Sequence, residues 1–177
     1  NVTGDWLSVV DSTIQNIAKT LPNIIYLQNT KFDLPNTNIS VYGTTLWSAI
    51  SKDEESIVRT AISDYCCIPQ FTTTKSTELF ENNVQSLKET LEQNKEKMFV
   101  VISHHLPSYE LIAEQYKSCG INSAFASSVE LAKSPQIVAW VAGHTHMPIE
   151  LGKFHVNPVG YRGENSIVNV NKTFQII

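Results

Sequence analysis

Val138-Ala-Trp-Val-Ala-Gly-His-Thr-His146 is an apolar run that opens directly onto two histidines one residue apart. A strand puts alternate side chains on one face, so the spacing predicts that His144 and His146 project to the same side where that strand ends. Neutral imidazole is the commonest protein ligand for a divalent cation, and a His-x-His pair supplies half of such a site. A second apolar run, Met98-Phe-Val-Val-Ile-Ser103, leads into His104-His105-Leu106-Pro107 in the same way. Four of the five histidines therefore follow two strand-like segments, and a shared site at neighbouring strand ends is the first expectation.

Working outward, residues 104–136 separate the two apolar runs and contain helix-like stretches at 109–117 and 126–133. That length suits a crossover between neighbouring parallel strands, and runs apolar throughout suit strands covered on both faces. Upstream, Thr3 and Asp5 are expected to cap a helix with Trp6, Val9, Val10, Ile14 and Ile17 on one face, stopped by Pro22 and Asn23. Short strands are expected at 24–27 and 39–46, with Gly43 as a bulge or a point of close approach. Helices are expected at 53–65 and 76–97, the latter carrying Leu79, Phe80, Val84, Leu87 and Leu91 along one side. Strands around 149–156 and 166–171 flank the turn-rich Asn157-Pro-Val-Gly-Tyr-Arg-Gly-Glu-Asn165. Alternating helices and strands followed by a short β run predict a layered α/β protein.

The chain has 177 residues, of which 42% are hydrophobic, and a net charge of −4. One domain spanning 1–177 with a real core is expected. The weak negative charge offers no basic field for nucleic acid, so none is inferred as a partner. No apolar run approaches the roughly 18 residues of a membrane span, and no secretory signal is visible. Three cysteines, two of them adjacent at Cys66 and Cys67, suggest reduced thiols and a cytoplasmic location. Asn-x-Thr/Ser matches at Asn1, Asn38 and Asn171 are read as chance in an Asn- and Thr-rich chain. The oligomeric state is left open.

Binding sites in layered α/β proteins lie beyond the carboxyl ends of the strands, where both histidine groups fall. Either group alone is more often a satisfied structural histidine or a chance pair. Together, at the ends of two apolar runs, they argue for metal chemistry. His144 and His146 would bind one ion, or each would face a different ion with His104 arriving from the next strand. Gly143 would allow a sharp turn into the site. His155, in a polar strand, is expected at the surface. Tyr161, Arg162, Glu164 and Asn165 form a polar loop that either touches substrate or simply turns the chain.

With Val-Val-Ile-Ser-His104-His105-Leu-Pro and Gly143-His144-Thr145-His146 in hand, the chain resembles the calcineurin-like metallophosphoesterase family, in a bacterial- and viral-type subgroup. Asn23-Ile-Ile-Tyr-Leu, Gly43-Thr-Thr-Leu-Trp-Ser48, Asn122-Ser-Ala-Phe-Ala-Ser127 and the 157–165 loop fall in that subgroup's order. The resemblance implies a layered αββα sandwich and hydrolysis of a phosphomonoester or phosphodiester by a metal-bound hydroxide. It implies His104 and His144 at a second metal, His146 at a first, and His105 near substrate or in place of His104. Two divalent ions (Mn, Fe or Zn) are the implied cofactors and a phosphate ester the implied substrate. The family's Asp-x-His, Gly-Asp-x-x-Asp and Gly-Asn-His-Asp/Glu motifs do not occur in these 177 residues. No catalytic acid or base is therefore assigned, and the chain is expected to be an N-terminally truncated, C-terminal portion with about half a site. Such a fragment would expose apolar faces and seek a partner.

Two other functions compete. One is a degenerate member serving as a binding module; the other is a single-zinc protein using His104, His144 and His146 with one open position.

Overall fold

The computed structural model describes residues 6–164 and 168–176. In chain order these form α1 (Trp6–Ala18), β1 (Thr30–Asp33), β2 (Ile39–Thr44), α2 (Glu55–Ala61), α3 (Asp64–Cys67), α4 (Thr73–Gln93), β3 (Met98–Ser103), β4 (Ile137–Ala142), β5 (Ile149–Leu151) and β6 (Phe154–Val156). The strands make one six-stranded mixed sheet in the order β1-β2-β3-β4-β6-β5. The two apolar runs are its central neighbours, β3 and β4. They pair in parallel with Val101 opposite Trp140, as the crossover length required. β2 and β6 extend the parallel core, and β1 and β5 close the two edges antiparallel. The chain is an α/β protein.

The two faces of this sheet differ. One row runs through Tyr42, Val101, Trp140 and Phe154. Its first three members are fully buried, in one cluster with Leu87 and Leu91 of α4. The Tyr42 hydroxyl donates to Ser86 Oγ at 3.0 Å, tying α4 to this face. Thr72 caps α4 by accepting from the Lys75 N–H, and the Gln136 side-chain amide donates to the Leu91 and Asn94 carbonyls at its far end. The row on the other face is Gly43, Ile102, Val141 and His155, and Ile102 is 44% exposed there. The continuous apolar character of β3 thus anticipates two covered faces, while only one is fully enclosed among the described residues.

Several elements depart from expectation for identifiable reasons. The segment 24–27 forms no strand. It lies against the sheet instead, and a Cβ on Gly43 would stand 2.4 Å from Leu27 Cβ. The close approach expected at Gly43 is therefore real, whereas the edge strand is β1, whose Thr-Lys-Phe-Asp sequence carries little strand signal. The helix expected over 53–65 breaks at Ile62, whose backbone is extended, into α2 and α3. The helix expected over 76–97 begins earlier, at the Thr72 cap, and ends at Gln93. No α-helix forms over 109–117 or 126–133; the crossover is made of short 3₁₀ turns. Residues 125–129 are committed to the loop after β3, with Leu106 N–H donating to Phe125 O, Ser127 N–H to Leu106 O and Val129 N–H to Pro107 O. That pairing leaves no backbone for a helix.

The segment 149–156 is a hairpin of β5 and β6 that turns at Gly152, where φ is +56°. Residues 168–171 are not a strand. The caps Thr3 and Asp5, the Asn1 sequon, and Asn165 with the start of the strand expected at 166–171 lie outside the described residues. In α1, Val9, Val10, Ile14 and Ile17 are all exposed. The helix is tethered where the Tyr26 hydroxyl donates to Asp11 Oδ1 at 2.5 Å. No helix among the described residues is long and apolar enough to cross a membrane.

Gly43→Ala is expected to destabilise the fold by about 1–3 kcal/mol through overpacking against Leu27. A urea midpoint equal to that of the parent would contradict the close approach.

Candidate functional site

β3 and β4 deliver their histidines differently from what strand alternation predicts. β4 ends at Ala142, and the histidines beyond it sit on left-handed backbone, with φ of +69° at His144 and +54° at His146. The loop after β2 does the same at Leu46 (φ +70°) and Trp47 (φ +51°). Four of the seven non-glycine residues with positive φ among the described residues therefore lie in the two loops around the histidines. Such backbone costs on the order of 1–3 kcal/mol per residue and gathers at functional sites. Gly143 is not the hinge: a Cβ there would meet nothing closer than 3.8 Å, and the turn is carried by the histidines themselves. Its N–H donates to the His104 carbonyl at 3.1 Å, fastening the end of β4 to the end of β3.

This fastening brings His104, His105 and His144 together. Ring centroids lie 4.6 Å apart for His104–His144, 4.3 Å for His105–His144 and 5.4 Å for His104–His105. One nitrogen from each falls within 4.8 Å of the others. The Phe125 ring lies tilted against His144, with centroids 4.7 Å apart. His144 Nε2 is buried and has no hydrogen-bond partner among the described residues, as is the neighbouring Thr145 Oγ1. A buried imidazole nitrogen left without a partner is costly unless a ligand engages it.

Burial, with His104 as a like charge, pushes the His144 pKa down to about 3, so the ring is neutral and its lone pair available. His104 keeps an exposed edge, yet enclosure and then His146 lower its pKa, against an upward pull from Asp64. His105 is held well below the usual histidine range by burial, then by His144 and His104. His105 is also the most constrained of the three. Its Nδ1 shares a 2.8 Å hydrogen bond with Ser48 Oγ, its ring bonds to the Ala124 backbone, and it is 4% exposed. The ring expected near substrate is therefore enclosed, held by Ser48 and the Ala124 backbone behind His104 and His144.

His146 stands beside the cluster, not in it. Its Nδ1 pairs with Glu164 Oε2 at 2.9 Å, and its ring meets Tyr161 edge-on at 4.8 Å. The Glu164 carboxyl, which also accepts from the Tyr161 N–H at 2.7 Å, is held below the usual carboxylate range by that bond and then by His146. The polar 161–164 loop thus holds one of the four histidines. His155 is remote, paired with Glu150 across the β5–β6 hairpin and stacked on Phe174 at 4.0 Å. The three cysteines are free thiols.

Ser48, Phe125 and Glu164 are the site residues that motif spacing does not reveal as partners of histidines. Ser48 and Phe125 belong to ordinary-looking Thr-Leu-Trp-Ser and Ala-Phe-Ala stretches.

The residues present fit a divalent cation. His104 and His144 offer neutral imidazoles at adjacent strand ends, and the orphaned Nε2 of His144 is a donor in waiting. His105 would add a third nitrogen on giving up one existing bond, and His146 on release from Glu164.

The chain is similar to an uncharacterized protein, L509, of Acanthamoeba polyphaga mimivirus, with 31% identity over 162 residues. The match covers 82% of this chain and 57% of the viral protein, so the chain spans little more than half of that relative's length. No protein-family model and no solved structure matches the chain.

The low His144 pKa makes a pH prediction with a definite sign. The native state resists protonation until about pH 3, while the unfolded chain takes up the proton near 6.5. Stability present above 6.5 is therefore lost as pH falls from 6.5 toward 3. Urea unfolding at pH 7 and at pH 4.5 should show a smaller difference in His144→Phe than in the parent. Equal differences would contradict a neutral, half-buried His144.

Proposed function

We propose that the chain carries the histidine side of a metal-dependent phosphoesterase site of the calcineurin-like type. The observation that supports it most is the buried, unpartnered Nε2 of a neutral His144, set against His104 at the ends of two adjacent parallel strands. Within this reading His104 and His144 hold the ion, and Ser48 and the Ala124 backbone lock His105 behind them. Glu164 keeps His146 at the side of the cluster, facing the position a phosphate would take. A bound divalent ion supplies charge stabilisation to the phosphoryl oxygens and makes water acidic enough to react near neutral pH. Phe125 excludes solvent from one side of His144, which strengthens the electrostatics there.

The same proposal extends to the architecture. The described sheet would be one of the two in an αββα sandwich, a reading supported by the half-covered face at Ile102 and the uncovered apolar side of α1. The carboxylate ligands implied by the resemblance are not in the two histidine loops, so the chain's own histidines are proposed to hold one ion.

A single-ion, three-histidine site is the second reading, favoured by the mutual 4.8 Å approach of His104, His105 and His144 nitrogens. The two separate at Ser48. If His105 is a ligand, Ser48→Ala removes the group that orients it and weakens metal binding about 10–100-fold. If His105 only braces the site, affinity stays within about threefold.

Equilibrium dialysis against Mn²⁺ or Zn²⁺, followed by metal analysis, should give about one ion per chain in the parent and none in His144→Ala. Hydrolysis of 4-nitrophenyl phosphate should depend on that ion and vanish in the same variant. Metal-independent binding of a partner with no ion retained would favour the binding-module alternative and overturn the proposal.

A further inference from the structure

A cleft of about 410 Å³ opens beside the histidines, between the α2–α3 corner, the crossover and the 161–164 loop. Its size is that of a small-molecule site. His144, Thr145 and His146 form one wall, so the cleft is continuous with the candidate metal centre.

The remaining walls have a consistent chemistry. Ile62, Ile112, Ile121 and Phe125 give an apolar lining, and Ile112 is only 4% exposed. Tyr116 and Tyr161 are 43% and 75% exposed and stand where a flat ring entering from solvent would meet them. The two charged groups besides histidine are carboxylates, Asp64 and Glu164, and no lysine or arginine is among the described lining residues. Glu164 is engaged by His146, whereas the Asp64 charge reaches as far as His104. A substrate with a second phosphate in this cleft would meet carboxylates with no compensating cation among the described lining residues. Polyphosphates and nucleic acid are selected against by repulsion as much as by missing contacts. An uncharged aromatic group buries apolar surface against isoleucines and stacks on Phe125 and the tyrosines at little cost.

We propose that the cleft binds the organic portion of a small phosphate monoester whose alcohol is an uncharged aromatic ring, with the phosphate directed at the histidines. This assignment rests on the phosphoesterase reading for the phosphate end alone; the ring end stands on the lining of the cleft.

Titration calorimetry of the 177-residue chain in Mn²⁺-containing buffer separates the two. The probes are phenyl phosphate, inorganic phosphate, ATP and phenol. Phenyl phosphate is expected to bind at least about tenfold more tightly than inorganic phosphate or ATP. Ile121→Asn, a neutral polar change at a half-buried wall position, should erase that advantage and leave inorganic phosphate binding unchanged. Asp64→Lys should shift preference toward ATP. Equal binding of phenyl phosphate and inorganic phosphate by the parent would overturn the aromatic assignment and leave the phosphoesterase reading standing. Binding of phenol that Ile121→Asn abolishes, with no phosphate effect, would support the ring pocket and remove the phosphoesterase reading. Absence of binding by all four probes would overturn both.

Discussion

The parallel pairing of β3 with β4 is the constraint on which the site depends. It sets Val101 beside Trp140 in the core, and the same register carries the chain on to His104 and His144 at one end of the sheet. The Gly143 N–H to His104 carbonyl bond completes the junction. Ser103 links the same two strands from within: its hydroxyl donates to the His105 carbonyl at 2.7 Å and accepts from the Trp140 indole at 2.8 Å. A rigid apolar core therefore fixes the positions of polar side chains that would otherwise repel or wander.

Holding those side chains there is unfavourable in isolation. Positive φ at Leu46, Trp47, His144 and His146 stores backbone strain, and burying His105 and half-burying His144 makes protonation of the set difficult. Strain and unpaired polar atoms persist in a fold when the surrounding packing over-determines them, and they concentrate where a ligand relieves them. A cation among neutral imidazoles would engage the orphaned nitrogen directly. The same enclosure that lowers the histidine pKa values also forms one wall of the apolar, carboxylate-bearing cleft, so the proposed metal chemistry and the proposed substrate choice would share one set of residues.

Much of the architecture is written in local sequence, and the site only partly. The β3 and β4 bounds, their parallel pairing and the convergence of His104 with His144 follow from uniform apolar runs and a crossover of sufficient length. Elements that depend on distant partners do not announce themselves: β1 is polar and gains strand structure only by pairing with β2, and residues 125–129 abandon helix for hydrogen bonds to the loop after β3. The His144–His146 alternation fails for a backbone reason, since the chain turns into left-handed geometry at His144 and His146 and Glu164 captures His146. Ser48, as partner of His105, is invisible in sequence because the pair is 57 residues apart.

The central claim is that His104 and His144 form a ready cation site from which His155 is excluded. Following the imidazole nitrogen resonances of ¹⁵N-histidine-labelled chain during Zn²⁺ titration tests it most directly. His104 and His144 should shift together and saturate near one equivalent, while His155 stays unmoved. Saturation without a response from His144, or equal responses from all five histidines, would contradict the account.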